Sequence, residues 1–226
     1  MAKPPIGYND PTIGGLVGWW TMNEGIGTVT TADLSGNGNT GYLTNSPAWT
    51  NGVVRSGLKF GTNYNSGQLI SVLDSPSFKL QNGGCISFWC FPVIKSWSGY
   101  GMSLISKRSY LLSEWTIYLA SNTGYLSFWC GPVFNTTYSL PTNVWTMVTM
   151  NINAATTNLT FLINGITLTN FSNLIGTSAT DSIKIGGYDL DPQQFYGTMD
   201  DVRIYNRALS SGEILKLYNG GYGSQK

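Results

Sequence analysis

Leu159-Thr160-Phe161-Leu162-Ile163-Asn164-Gly165-Ile166-Thr167-Leu168 is the stretch that decides the fold class. Asn-Gly between two apolar, β-branched runs is the strongest short-range hairpin signal. A tight two-residue turn of type I′ needs positive φ at both central residues, which Gly takes freely and Asn tolerates. Working outward, Trp145-Thr146-Met147-Val148-Thr149-Met150-Asn151 reads as the strand before this hairpin, and Ser182–Ile185 and Met199–Tyr205 as strands after it. Further upstream, Leu126–Cys130, Trp115–Leu119, Ser103–Ser106 and Cys85–Phe91 have the same β-branched and aromatic character. Leu69–Val72, Leu58–Phe60 and Leu16–Met22 complete the set. Residues 31–52, with Gly36-Asn37-Gly38-Asn39 at their centre, read as loop. Many short strands without alternating helices predict an all-β sandwich or barrel.

One helix is legible. Ser210-Ser211-Gly212-Glu213 is a capping box, in which the Ser210 and Glu213 side chains each satisfy the other's backbone N–H. Ile214, Leu217 and Tyr218 then share a helical face, and Gly220-Gly221 ends the run.

Composition agrees with a β fold. Gly, Thr, Ser and Asn supply 95 of 226 residues and only 10% are charged, so uncharged polar groups carry solubility. Aromatic residues reach 13%, which disordered chains lack. A chain of this length buries a large core without disulfides or metals.

Several chemistries are disfavoured at once. The net charge is +1 and no basic run exists, so no phosphate-binding patch for nucleic acid is visible. Histidine is absent, which removes Ser-His-Asp, Cys-His and His-metal arrangements. Cys85, Cys90 and Cys130 are odd in number, which argues against a disulfide framework. Cys85 and Cys90 are five residues apart on one strand and should face opposite sides. A Cys90–Cys130 bridge is conceivable, but three buried thiols is the simpler reading. The N-terminus has no apolar signal core, and no apolar run approaches transmembrane length, so no membrane insertion is expected. Asn135, Asn158 and Asn170 sit in Asn-x-Ser/Thr sequons, which in so Asn- and Thr-rich a chain read as coincidence.

Residues 1–15, with three prolines, read as an extended N-terminal arm, 16–220 as one domain and 221–226 as a tail. Ser87-Phe88-Trp89-Cys90 and Ser127-Phe128-Trp129-Cys130 echo each other, each followed two residues later by Pro-Val. The echo extends no further and marks similar strand chemistry, not a repeat.

The order of segments resembles the laminin-G-like, concanavalin A-like lectin/glucanase domains. The resemblance rests on Leu16-Val17-Gly18-Trp19-Trp20 with Asp33–Asn39, and on Gly57-Leu58-Lys59-Phe60 leading to Asp74–Phe78. It continues through Ile86–Trp89 with Trp145 and Asn164-Gly165. The most specific block is Gly197-Thr198-Met199-Asp200-Asp201-Val202-Arg203-Ile204-Tyr205-Asn206-Arg207-Ala208-Leu209-Ser210. It implies a jelly roll of two antiparallel sheets with one short C-terminal helix.

The resemblance also implies calcium. The Asp of the early loop and the Asp of the late Gly-x-x-Asp block often meet at one ion in this family. Those positions are Asp33 and Asp200, with Asn39 among the loop residues able to offer oxygen. The alternative is an Asx-turn at Asp33 and a solvent-facing or Arg-paired Asp200. Asp189 and Asp191 form a weaker candidate for a second oxygen site.

Sugars stack their C–H faces on aromatic rings, and amides bond their hydroxyls. The loop-placed candidates are Trp97, Tyr100, Tyr110, Tyr188, Phe195 and Tyr196, with Gln193 and Gln194 nearby. The competing reading of each is packing. Trp19, Trp20, Trp89 and Trp145 read as core. Glycoside hydrolysis needs paired carboxylates, carried in the glucanases of this fold as Glu-x-Asp-x-Glu. Glu24, Glu114 and Glu213 have no such company in sequence.

The expectation is therefore a non-catalytic, lectin-like surface module. Its polar, low-charge composition and Pro-rich arm also resemble the jelly-roll decoration and fibre proteins of tailed bacteriophage. That implies a virion or extracellular location after assembly or lysis, other chains of an assembly as partners through the arm, and cell-surface glycans as ligands. A free carbohydrate-binding lectin is the alternative, and a glycoside hydrolase the disfavoured third reading.

Overall fold

The computed structural model describes residues 13–61, 66–80, 83–94, 101–108, 113–172, 180–188 and 193–224. Among these, sixteen strands and one α-helix follow in chain order. They are β1 (Leu16–Trp20), β2 (Thr30–Thr31), β3 (Gly41–Thr44), β4 (Ala48–Asn51), β5 (Ser56–Phe60), β6 (Leu69–Val72), β7 (Gly84–Pro92) and β8 (Met102–Arg108). Next come β9 (Ser113–Leu119), β10 (Tyr125–Trp129), β11 (Val133–Ser139), β12 (Thr146–Asn153), β13 (Asn158–Ile163) and β14 (Ile166–Phe171). β15 (Ile183–Ile185), β16 (Gly197–Tyr205) and α1 (Ser211–Tyr218) end the series.

The strands form two antiparallel eight-stranded sheets, the expected jelly-roll sandwich. Sheet A runs β14-β13-β12-β7-β16-β5-β4, with β1 also paired to β16; sheet B runs β11-β10-β9-β8-β15-β6-β3-β2. The Asn164-Gly165 turn has φ of 53° and 79° and joins Ile163 to Ile166 in register. Asn164 also ties the turn to the next strand, its side-chain oxygen accepting from Met147 N at 2.9 Å and its own N–H donating to Met147 O at 2.9 Å.

The alternation along each strand sets the core between the sheets. Ile86, Phe88 and Cys90 of β7 face it from sheet A, as do Trp115, Ile117 and Leu119 of β9 from sheet B. The opposite face of sheet A is closed by α1. Cys85, Trp89, Met147, Leu162 and Tyr205 point outward and pack under Leu209, Ile214 and Leu217. This gives β7 and β16 their nearly continuous burial. Cys85 and Cys90 thus lie on opposite faces, and all three cysteines are buried free thiols. Trp19, Trp20 and Trp89 are buried as expected, whereas Trp145 is half-buried ahead of β12 with its ring 5.6 Å from that of Phe91.

Two expectations need correction. Residues 31–52 are not all loop, since they hold β3 and β4, and β11 had no counterpart in the sequence reading. β4 and β11 are the outermost strands of their sheets, and all but Ala48 and Trp49 of β4 is polar. Edge strands exposed on one side carry no apolar run to betray them.

Both described ends of the chain are bonded to the sandwich. Gly14 O accepts from Arg207 Nε at 2.7 Å and Gly15 O from Asn206 N at 2.9 Å. At the other end, Gly223 O accepts from Asn219 Nδ2 at 2.8 Å and Ser224 O from the Arg203 guanidinium. Residues 1–12 of the expected arm lie outside the described residues. Among the described residues no helix is long and apolar enough to cross a membrane.

Candidate functional site

Because α1 occupies the outer face of sheet A, the outer face of sheet B is the large strand surface on which no described helix packs. Its residues follow from period two. With Trp115, Ile117 and Leu119 of β9 in the core, Thr116 and Tyr118 point out; with Leu126 and Phe128 of β10 in the core, Ser127 and Trp129 point out. The registers align these into cross-strand rows. Trp129 lies opposite Thr116, Thr116 opposite Ser106, Ser106 opposite Lys184, and Lys184 opposite Ser71. A second row places Ser127 opposite Tyr118 and Tyr118 opposite Ser103.

A cavity of about 390 Å³ sits on these rows, lined by Arg108, Thr116, Tyr118, Ser121, Trp129 and Gln193, with Gly101 and Ala120. That is within the size range of ligand pockets, about 300–1,000 Å³. Gly101 is required by close approach, since a Cβ there would meet Leu119 O at 2.8 Å and the Tyr118 ring at 3.1 Å. Trp129 and Tyr118 are half-buried, so ring surface remains available. Burial raises the Tyr118 hydroxyl above its ordinary pKa, against a hydrogen bond with Ser127 that lowers it, so it is a neutral donor and acceptor at pH 7. Ser127 Oγ in turn donates to Asn135 Oδ1 at 2.9 Å.

Ser103 Oγ, Ser106 Oγ, Thr116 Oγ1 and Arg108 Nε on this patch are buried without a hydrogen-bond partner. A buried polar atom left unpaired costs about 1–3 kcal/mol, and of these four residues Thr116 and Arg108 line the cavity, where a polar ligand would relieve that cost. Arg108 is placed by two rings: its guanidinium carbon is 5.0 Å from the centroid of Tyr188 and 5.7 Å from that of Trp129.

The aromatic residues singled out in sequence divide. Tyr188 stands at the site under Arg108, and Gln193 lines the cavity while its carbonyl accepts from Ser103 N at 3.0 Å. Phe195 is a correction, since it is fully buried in the inter-sheet core and offers no face to a sugar. Tyr196 packs half-buried against that core. Gln194 is an internal brace, its amide donating to Gln68 O at 2.8 Å. Trp97, Tyr100, Tyr110, Asp189 and Asp191 lie outside the described residues. Trp129, Tyr118, Thr116 and Arg108 lie on strands, not in the loops where binding aromatics are expected from sequence. Their signal was the out-facing phase of two strands already legible.

The three residues expected at calcium each anchor a loop. Asp33 Oδ1 accepts from Trp19 N at 3.0 Å and Ser35 N at 2.9 Å, and Oδ2 from Asn39 N at 2.9 Å. Asn39 Nδ2 donates to Val17 O at 2.8 Å and its carbonyl accepts from Trp20 Nε1 at 2.8 Å. Asp200 is fully buried and its Oδ2 accepts from Val54 N at 2.9 Å, holding the β4–β5 turn. Burial pushes its carboxyl up to about 8 despite that donor, and the neighbouring Asp201 charge adds to the rise. Ca²⁺ takes six to eight oxygen ligands. Asp33 accepts from backbone N–H groups, and among the described residues no group of three or more His, Cys, Asp or Glu side chains could hold a metal ion.

Two carboxylates do meet, but around a cation. Buried Lys107 Nζ lies 2.6 Å from Glu114 Oε2 and 3.0 Å from Asp74 Oδ1. A retaining glycosidase pair needs one carboxyl to act as acid and the other as nucleophile across the scissile bond. Here one ammonium occupies the space between both, and neither lines the cavity.

A search of curated proteins with this sequence finds no match. Solved structures do match in fold. The binding domain of Paraclostridial Mosquitocidal Protein 1 superposes with a TM-score of 0.73 at 22% identity, covering 92% of this chain and 53% of that one. Domain 4 of AbnA, a GH43 extracellular arabinanase from Geobacillus stearothermophilus, in complex with arabinotriose, gives 0.68 at 20% identity, covering 89% and 97%. The binding domain of Botulinum Neurotoxin DC in complex with SialylT gives 0.70 at 17% identity, covering 92% and 52%. This chain thus spans about half the length of the toxin binding domains and nearly all of the arabinanase domain. Residues 62–215 match the family model Laminin_G_3, and the chain belongs to that family of the concanavalin A-like lectin/glucanases superfamily.

Proposed function

We propose that this chain is a non-catalytic, lectin-like carbohydrate-binding module whose ligand site is the outer face of β8, β9 and β10. The observation that carries this is the cavity of about 390 Å³ in which half-buried Trp129 and Tyr118 stand beside Thr116 and Gln193. An indole face and a row of hydroxyl and amide groups are the two elements a pyranose ring engages, through its C–H face and its hydroxyls. The fold neighbours support the reading, since one is a domain held with arabinotriose and others are binding domains of toxins. The Lys107 clamp on Glu114 and Asp74 supports binding without hydrolysis.

A place on a virus particle is a separate proposal that rests on the sequence alone, through the N-terminal arm of residues 1–15 and other chains of an assembly. The sugar site is tested by a glycan array probed with the wild-type chain and with Trp129→Ala, folding being checked by thermal melting. Binding to a set of glycans by the wild type, lost in Trp129→Ala, is expected. Binding that survives Trp129→Ala moves the site elsewhere, and no binding at all removes the lectin reading.

A further inference from the structure

The chain contains four arginines, and Arg203 shows what a buried guanidinium needs here. Its carbon lies 4.4 Å from the Trp19 ring centroid, which covers one π face. Its in-plane edge is taken by a carboxylate, Nε and Nη2 each lying 3.1 Å from an oxygen of Asp201. Arg207 likewise finds Glu213, through Nη2 at 2.5 Å and Nη1 at 3.2 Å. Arg108 has the first half of the Arg203 arrangement and lacks the second. The rings of Tyr188 and Trp129 stand by its guanidinium, yet Nε is buried without a partner and, among the described residues, no carboxylate lines the cavity it enters.

An arginine stays charged at any working pH, and its edge presents parallel N–H donors matched to a carboxylate. Burying Nε beside aromatic rings without an anion leaves a charge-assisted bond unmade, the strongest kind available at such a surface. We infer that Arg108 receives the carboxylate of an acidic sugar, so the ligand is an oligosaccharide carrying a uronic or nonulosonic acid unit. This deepens the proposed carbohydrate site and rests on it. The acid group would pair with the Arg108 edge while the neighbouring ring stacks on Trp129 and its hydroxyls meet the cavity-lining Thr116 and Gln193. Thr116 and Ser106 face each other across β9 and β8, one row from the guanidinium, with hydroxyls that are themselves unpaired.

The test is isothermal titration of the full chain with matched pairs: 3′-sialyllactose against lactose, and trigalacturonic acid against its methyl ester. Arg108→Gln and Arg108→Lys are run beside the wild type, each checked for an unchanged melt. At least one acid is expected to bind on the order of ten- to hundred-fold tighter than its neutral partner, as a charged hydrogen bond provides. Arg108→Gln should bring the affinities for an acid and its neutral partner within about two-fold of each other, and Arg108→Lys, which keeps charge but not the planar edge, should lose most of the preference. Neutral sugars binding as tightly as their acids, or an acid preference that survives Arg108→Gln, overturns the inference and leaves the carbohydrate reading standing. Tighter binding of 3′-sulfolactose than of 3′-sialyllactose overturns the carboxylate assignment. If neither member of any pair binds and the glycan array is also blank, the carbohydrate reading itself falls.

Discussion

Asn151 on β12 reads both backbone groups of Leu209, its Nδ2 donating to Leu209 O at 2.8 Å and its Oδ1 accepting from Leu209 N at 2.9 Å. This reciprocal pair fixes the segment that leads into α1 and so sets how the helix covers sheet A. Asn151→Ala removes both partners and leaves a half-buried backbone N–H and C=O unpaired. The expected loss is about 1–3 kcal/mol in a urea titration. Asn151→Asp keeps the shape but sets a carboxylate oxygen against Leu209 O, so it should be no more stable than Asn151→Ala.

The capping box gives a second expectation. Ser210 Oγ accepts from Glu213 N at 3.3 Å and Glu213 Oε2 accepts from Ser210 N at 2.8 Å, with Arg207 clamping the same carboxylate. Ser210→Ala should cost about 0.5–2 kcal/mol, as other lost N-caps do. The Arg207 hydrogen bond lowers the Glu213 carboxyl to about 2. A lowered folded value means the contribution is fully present above the unfolded value near 4.5 and is lost as pH falls through about 2. Thermal melts from pH 6 down to 2 should show this acid arm, weakened in Glu213→Gln.

Asp200 has the opposite sign. Its folded value, about 8, lies above the ordinary value of 3.8, so the fold favours the protonated acid. Its contribution is fully present below about 4 and is lost as pH rises through 8. Melts between pH 5 and 9 should fall with pH by an amount that Asp200→Asn removes. A slope unchanged in that variant would mean the carboxylate is ionised in the fold.

Calcium is the expectation that the loop geometry bears on most sharply. Asp33 spends both oxygens on the backbone N–H groups of Trp19, Ser35 and Asn39. Melts in millimolar calcium and in chelator should therefore coincide, while Asp33→Ala lowers stability equally in both. A rise in Tm with calcium that disappears in Asp33→Ala would establish a metal site there.

Much of the fold was legible because local chemistry and tertiary demand agree in it. Asn164-Gly165 could only turn, Cys85–Phe91 could only be a buried strand, and Ser210 with Glu213 could only start a helix. β3, β4 and β11 were not legible, since β3 and β4 are only four residues each and β11, at the sheet edge, breaks its apolar residues with Asn135-Thr136-Thr137. The site was half legible. The alternation of Leu126-Ser127-Phe128-Trp129 already sends Trp129 outward, and Thr116 and Tyr118 likewise. Whether an outward side chain meets a ligand or another element depends on where α1 docks. Trp89, equivalent to Trp129 in the Ser-Phe-Trp-Cys echo, also points outward, yet its ring stacks 5.7 Å from Tyr218 under the helix. Nothing within those four letters separates the two fates. Phe195 misled for a related reason, since a loop position next to two glutamines says nothing of the core behind it.

The most direct measurement is the position of a bound sugar. A crystal structure of the chain with the tightest oligosaccharide from the array should place a sugar ring against Trp129, over Thr116 and Tyr118, with Arg108 within hydrogen-bond reach. A sugar bound instead at the loops around Asp33 or on the α1 side of the sandwich would contradict the assignment of the site to sheet B.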